Sequence, residues 1–382
     1  MKLTYCKNCV MPNTKPDLFF DEEGVCDACQ SAERKEEIDW TSRKKEFEAV
    51  LEKYRSKDKT NYDCIIPVSG GKDSTYQTYV VKKIYGLNPL CVCFEPTHQT
   101  SLGKKNIDNL GRLGVDVIFF KKNPEVYKKM VIEGLRRVGD NEWPNHVGIF
   151  TVPINVSVRY GIPLVIWGEN SQLEYGGPKA AADREVLDRR WLEEFGGLLG
   201  NRVEDMLNVE GITREDLLPY TYPSQQELDR VGVRGIFLGY YFKWDARAQL
   251  EIIKKHGFSV KEDGPVEGTY TNYENLDEAT VSVHDYLKFV KYGFGRATDH
   301  ACIDIRNKRI SRKEGLRLVR QYDGVYPKYG VTNLIDYSGL SKTEIDSIFD
   351  QFTNKQIFKV DTHGILVRDA AGNLIKNNYD NE

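Results

Sequence analysis

The chain has 382 residues, 40% of them apolar and 29% charged, with a formal net charge of −3. At roughly 150 residues per domain, that length suggests two or three units, and its near-neutral balance argues against a globally basic nucleic-acid surface. No stretch reaches the roughly 18 uninterrupted apolar residues of a membrane span, and the opening "MKLTYCKNCVMP" lacks a signal peptide's apolar core, so the expectation is a cytoplasmic protein with no membrane partner.

Residues 1–35 read as a short, polar, cysteine-bearing module. Cys6-x2-Cys9 and Cys26-x2-Cys29, with sixteen residues between the pairs, have the spacing of two zinc knuckles. Each knuckle converges two thiolates, and two knuckles complete a closed tetrahedral set. So small a segment cannot build much of a core, whereas metal binding supplies on the order of 10–16 kcal/mol in zinc-finger peptides. Structural zinc is the expectation, with an iron–sulfur cluster or four unligated thiols as alternatives. A site closed by four protein ligands leaves no position for a substrate.

Residues 36–59 follow as a connector helix, with Phe47, Val50, Leu51 and Tyr54 at helical spacing. Over 60–257 the apolar runs "DCIIPVS", "PLCVCFEP", "VDVIFFKK", "IPLVIWGE" and "RGIFLGYY" alternate with helix-length segments. Short buried strands in that rhythm predict an α/β unit, a doubly wound, mostly parallel sheet covered on both faces. Cys64, Cys91 and Cys93 lie within these runs and read as small core hydrophobes. A long, acid- and glycine-rich insertion at 170–232 is expected to carry helices or a substrate lid. Residues 258–382 read as mainly helical, with the last dozen frayed.

The stretch "CIIPVSGGKDSTYQ", Cys64 to Gln77, carries the sharpest motif. A strand runs into a glycine hinge and then a helix. Gly70 and Gly71 permit a tight turn and close backbone approach, and successive N–H groups at a helix N-terminus form an anion site. Ser69 and Ser74 add hydroxyls and Lys72 adds a charge. Asp73 suits bound phosphate only if a magnesium ion bridges the two. The Walker A pattern fails, because Asp73 follows Gly71-Lys72 and Ile66 stands where its first glycine belongs. An ordinary glycine turn with a Ser or Asp helix cap is the bland alternative.

"SGGKDS" resembles the PP-loop of ATP pyrophosphatases, which cleave ATP between its α and β phosphates. The resemblance implies ATP and Mg2+ at Ser69, Gly70, Gly71, Lys72, Asp73 and Ser74, with adenine near Phe94 on the following strand. It also implies a second nucleotide-facing loop in "IPLVIWGENSQLEYGG". There Glu169 and Asn170 stand at the carboxyl end of a strand, where open α/β sheets place ligands.

More widely, "YCKNCVMPNTKPDLFFDEEGVCDACQ", the SGGKDS loop, "PLVIWGENSQLEYGG", "FLGYYFKWD" and "YGFGRATDHACIDIRNKRISRKEGLRLVRQYDG" occur in this order. Together they resemble the N-acetyl sugar amidotransferases of lipopolysaccharide O-antigen and related surface-sugar synthesis. That resemblance implies adenylation of an acetamido oxygen on a nucleotide-activated N-acetyl sugar, then replacement by ammonia to give an acetamidino group. Lys72 and Asp73 are then the catalytic candidates. No cysteine stands at position 2 and no Gly-x-Cys-x-Gly elbow occurs, so ammonia is expected free or from a partner protein, and the resemblance implies a separate glutamine amidotransferase subunit.

Substrate contacts are expected where aromatics with polar tips mix with glycines. These are Glu174, Tyr175, Gly176 and Gly177, then Tyr240, Tyr241 and Trp244, with "GTYTNY" at 268–273 as a further candidate. Arg296 is a candidate for a phosphate or carboxylate, against the alternative of a structural salt bridge. His98 and His300 are not assigned. The rival enzyme class is a PP-loop tRNA thiolase, since residues 288–320 carry ten Lys and Arg against three acids. A non-catalytic ATP-binding zinc adaptor is the other alternative.

Overall fold

The apolar runs form strands because alternate residues bury on opposite faces of one sheet. In the computed structural model, which describes residues 3–178, 181 and 184–377, the strands are β1 (Cys64–Pro67), β2 (Pro89–Phe94), β3 (Asp116–Phe120), β4 (Leu164–Trp167), β5 (Val186–Leu187) and β6 (Arg234–Phe237). Their order is β3-β2-β1-β4-β6-β5, parallel throughout except for β5, which pairs antiparallel with β6 at one edge. The sheet is open and mixed. The chain runs outward from β1 to β3 and returns to the other side of β1 as β4, so the order reverses between β1 and β4. Loops leaving the carboxyl ends of those two strands diverge there and open a crevice.

Strand parity distributes the core. Ile65, Val92, Phe94, Val165 and Phe237 face one side and meet Met130, Leu135, Val147 and Ile154 of α5 (Pro124–Val138) and α6 (Trp143–Tyr160). Cys64, Ile66, Cys91, Cys93 and Ile166 face the other side and meet Phe47 and Leu51 of α2 (Trp40–Tyr54). Val80 and Val81, just beyond α3 (Lys72–Tyr79), and Ile107 of α4 (Ser101–Asn109) complete that second layer. The three strand cysteines are fully buried, and burial pushes the Cys91 and Cys93 thiols up to about 12. They pack as hydrophobes.

No sequence pattern marks β5, because two residues are too few for an alternation to register. It lies in the 170–232 insertion beside α7 (Ser171–Tyr175), the helices Arg189–Phe195 and Gln225–Val231, and 3-10 turns. After an irregular stretch over 255–280 the chain is helical through Val281–Tyr292, Arg296–Arg306, Arg312–Tyr322, Lys328–Ser338 and Lys342–Phe352. Beyond Phe352 the mainly helical region ends in a non-helical tail, and of the last dozen residues, expected to fray, 371–377 belong to it while 378–382 lie outside the described residues. Antiparallel bridges Phe358↔Lys376, Val360↔Leu366 and Arg368↔Leu374 fold the segment back on itself. Turns at Gly364 and Gly372, both at positive φ, make the reversals. Among the described residues, no helix is long and apolar enough to cross a membrane.

Candidate functional site

The loop after β1 is shaped by two glycines. Gly70 sits at φ +90°, and a Cβ there would lie 2.9 Å from the Gly103 carbonyl oxygen of α4. Only glycine fits both the conformation and the space. Gly71 then caps α3, and the loop closes on itself: Gly71 N–H donates to Ser69 Oγ (3.2 Å), and Ser69 N–H donates to Ser74 Oγ (3.4 Å). The first-turn N–H groups of α3, which have no intrahelical acceptor, form a backbone cradle with this hinge beside the β1–β4 crevice.

Lys72 is 5% exposed, and its Nζ donates to Asp73 Oδ1 (2.5 Å) and Oδ2 (2.6 Å) and pairs with Glu274 Oε1 at 3.1 Å. Burial alone pulls its pKa down, but Asp73, Glu274 and Glu169 outweigh that and hold the ammonium well above its ordinary value. Glu169, at the carboxyl end of β4, faces the same ammonium. Burial first, then the Asp73 charge, raise its carboxyl to about 8. Glu274 is likewise raised, by burial. Several carboxylates thus surround one lysine, an arrangement that a bare triphosphate would find repulsive and a shared hard divalent cation would suit.

A narrow cleft runs from Lys72 and Glu169, with Glu174, Tyr175, Trp244, Tyr273, Glu274 and His300 among its walls. Trp244 is set by an edge-on contact with Tyr76 of α3 (5.7 Å). His300 Nδ1 lies 2.6 Å from Thr269 Oγ1. Burial, then the Arg296 and Lys72 charges, hold its pKa well below the ordinary value, so the ring is neutral.

Of the residues expected at the site, Lys72, Asp73, Glu169, Glu174, Tyr175 and Trp244 converge. Others do not. Phe94 is 3% exposed and its ring packs among Phe120, Tyr127 and Tyr220 and over Gly148, on the α5–α6 face of the sheet. Asn170 caps α7, accepting from Gln172 N–H (3.0 Å) and donating to the Ala181 carbonyl (2.7 Å). Tyr240 lies under the Arg43 guanidinium of α2, and Tyr241 donates to Glu185 while its ring rests on Phe47. Gly176 abuts Leu18 and Ala28, and Gly177 abuts Gln172. Arg296 forms a buried ion pair with Asp285 (3.0 Å), behind Tyr175 and His300. Tyr273, from the 268–273 candidate stretch, His300, which the sequence left unassigned, and Glu274 also line the cleft, and no local motif marks Glu274.

The four knuckle cysteines are buried with their sulfurs all within 4.8 Å of one another. Cys6 and Cys29 stand 3.9 Å apart, Cys9 and Cys26 3.7 Å. A tetrahedral ion with metal–sulfur bonds of about 2.3 Å implies edges of about 3.8 Å. One ion such as zinc fits; a four-iron cluster, whose irons push the thiolates apart, fits worse. Arg306 adds an independent observation. Its Nη2 is buried without a hydrogen-bond partner and its charge faces Cys302, Cys9, Cys29 and Cys26, suited to offset the surplus negative charge of a tetrathiolate site. The module is tied to the cleft: Lys15 Nζ donates to the Gly176 carbonyl (2.7 Å), Lys35 pairs with Glu174, and Arg312 Nε donates to the Cys9 carbonyl (3.0 Å).

Residues 267–371 match the family model described as the C-terminal domain of WbpG-like LPS biosynthesis proteins. A Methanocaldococcus jannaschii protein described as "Uncharacterized protein MJ1599" is 31% identical over 105 residues, which is 27% of this chain. The chain spans only 36% of that relative's length. Among solved structures, the U34-tRNA thiolase NcsA from Methanococcus maripaludis with its 4Fe-4S cluster aligns over 90% of this chain and 100% of its own, at 13% identity and a TM-score of 0.26. A likeness so loose carries no argument about fold or chemistry here.

Proposed function

We propose that this chain is the synthetase subunit of an ATP-dependent sugar amidotransferase of the PP-loop class, acting in lipopolysaccharide O-antigen or related surface-glycan synthesis. One observation carries the reading. Lys72 of the hinge lines a cleft walled also by Glu274 and His300, which belong to the very segment that matches an LPS-biosynthesis domain.

The chemistry follows from the substrate's inertness. An amide resists attack because resonance stabilises it, as the rotation barrier of about 18–20 kcal/mol in a peptide bond reflects. In the proposed reaction the acetamido oxygen attacks the α-phosphorus of ATP and pyrophosphate departs. Ammonia then adds to the activated carbon, AMP leaves with the oxygen, and loss of a proton gives the acetamidino group. The cradle N–H groups and Lys72 hold the phosphates and offset charge on the departing pyrophosphate. Asp73 and Glu169 are the residues that would hold Mg2+, which when bound supplies further neutralisation of that charge. Tyr175 and Trp244 offer faces for the sugar or base. The protein's task is placement and charge stabilisation. Zinc on Cys6, Cys9, Cys26 and Cys29 would be structural, and a separate glutaminase would supply ammonia.

The test is incubation with ATP, Mg2+, ammonium and a panel of diacetamido nucleotide sugars, followed by mass spectrometry. A product lighter by the difference between O and NH supports the reading. Unchanged sugars across the panel, with ATP consumed on another acceptor, would sink it.

A further inference from the structure

The segment Glu274–Ala279, "ENLDEA", is stitched to the loop between β2 and α4. Ala279 N–H donates to the His98 carbonyl (3.0 Å), Thr100 N–H to the Asp277 carbonyl (3.2 Å), and Thr97 N–H to Glu278 Oε2 (2.7 Å). Gly103 of α4 lies so close that a Cβ there would come within 2.5 Å of Asp277 Cα. From this fixed strap two carboxylates reach the phosphate hinge. Glu274 stands 3.1 Å from Lys72 Nζ, and the Asp277 carboxyl faces the Ser69 side chain. Neither acid belongs to the hinge motif.

We infer that Glu274 occupies, on Lys72, the position a phosphate oxygen takes when nucleotide binds, and so makes binding depend on a divalent cation. The inference rests on the nucleotide reading above. An incoming phosphate without a cation must displace Glu274 from Lys72 and then sit beside it and beside Asp73 with no added positive charge. A cation arriving with the triphosphate offsets those acids, and Glu274 can yield Lys72 without leaving like charges in contact. Backbone hydrogen bonds on either side of Gln99 anchor the strap at Asp277 and Ala279, which keeps Glu274 within three residues of a fixed point. Glu274 acts as a specificity-determining group that admits ATP with its metal and rejects free ATP.

The experiment is calorimetric titration of ATP into the full chain, in excess Mg2+ and in EDTA, for wild type, Glu274→Gln, Glu274→Ala and the double variant Glu274→Gln/Lys72→Ala. Wild type is expected to bind at least about a hundredfold more weakly in EDTA, and Glu274→Gln to recover about tenfold or more of that loss. Glu274→Ala should move the ratio in the same direction, and the recovery should vanish in the double variant. A Mg2+-to-EDTA affinity ratio unchanged from wild type in both single variants would overturn the inference while leaving the nucleotide site standing. Absence of ATP binding to wild type under both conditions would instead sink the nucleotide reading, and this inference with it.

Discussion

Arg296→Met separates two roles for one buried arginine. Asp285 is 4% exposed, and Arg296 meets it with Nε at 3.1 and 3.2 Å and Nη2 at 3.0 Å. Burial pushes the Asp285 carboxyl up, but Arg296, and then Lys288 and His284, outweigh it and hold the group below its ordinary value. Methionine keeps the volume and removes the charge, leaving Asp285 with Asn275 Nδ2 at 3.1 Å as its remaining close donor. Breaking a buried pair from one side costs about 3–5 kcal/mol. A lowered carboxylate stabilises the fold above its unfolded pKa, and that contribution disappears as pH falls through the folded value. The deficit of the variant should therefore be full at neutral pH and shrink below about pH 4. Urea denaturation at several pH values measures it. A loss under about 1 kcal/mol at neutral pH, with weakened nucleotide-sugar binding, would refute the structural role and make Arg296 a ligand contact.

Three further outcomes are expected. Phe94→Ala should cost about 3–5 kcal/mol and leave ATP affinity unchanged, as calorimetry and denaturation together would reveal, since its ring fills the core over Gly148. Cys29→Ser should lower bound zinc, measured by elemental analysis, and expose residues of the N-terminal module to limited proteolysis, because a three-thiolate set holds the ion less well. Glu169 has a carboxyl raised from 4.5 to about 8, so the folded state binds the extra proton and stability falls as pH rises through that window. Glu169→Gln should flatten this decline in pH-dependent denaturation, and an unaltered slope would mean the carboxyl is not held neutral.

What the sequence made legible was local. The apolar runs, the glycine hinge and the paired cysteines declare themselves within a dozen residues, because strand parity, turn geometry and ligand spacing are short-range properties. Residues missed or misplaced depend on tertiary contacts. Phe94 stands at the end of the strand beside the hinge, yet its parity turns it with Val92 toward α5 and α6, away from the loop. Tyr241 was drawn to the site by its neighbours, but its hydroxyl belongs to Glu185. Glu274 and Asp277 reach the hinge only because a strap two hundred residues downstream lies against α4, and nothing in "ENLDEA" itself announces a phosphate loop.

Product analysis of ATP turnover tests the central claim most directly. With ammonium and an accepted nucleotide sugar, phosphorus NMR should register AMP and pyrophosphate in step with the amidino product, and neither from the Lys72→Ala variant. ADP and orthophosphate in place of AMP and pyrophosphate, or undiminished turnover by Lys72→Ala, would contradict it.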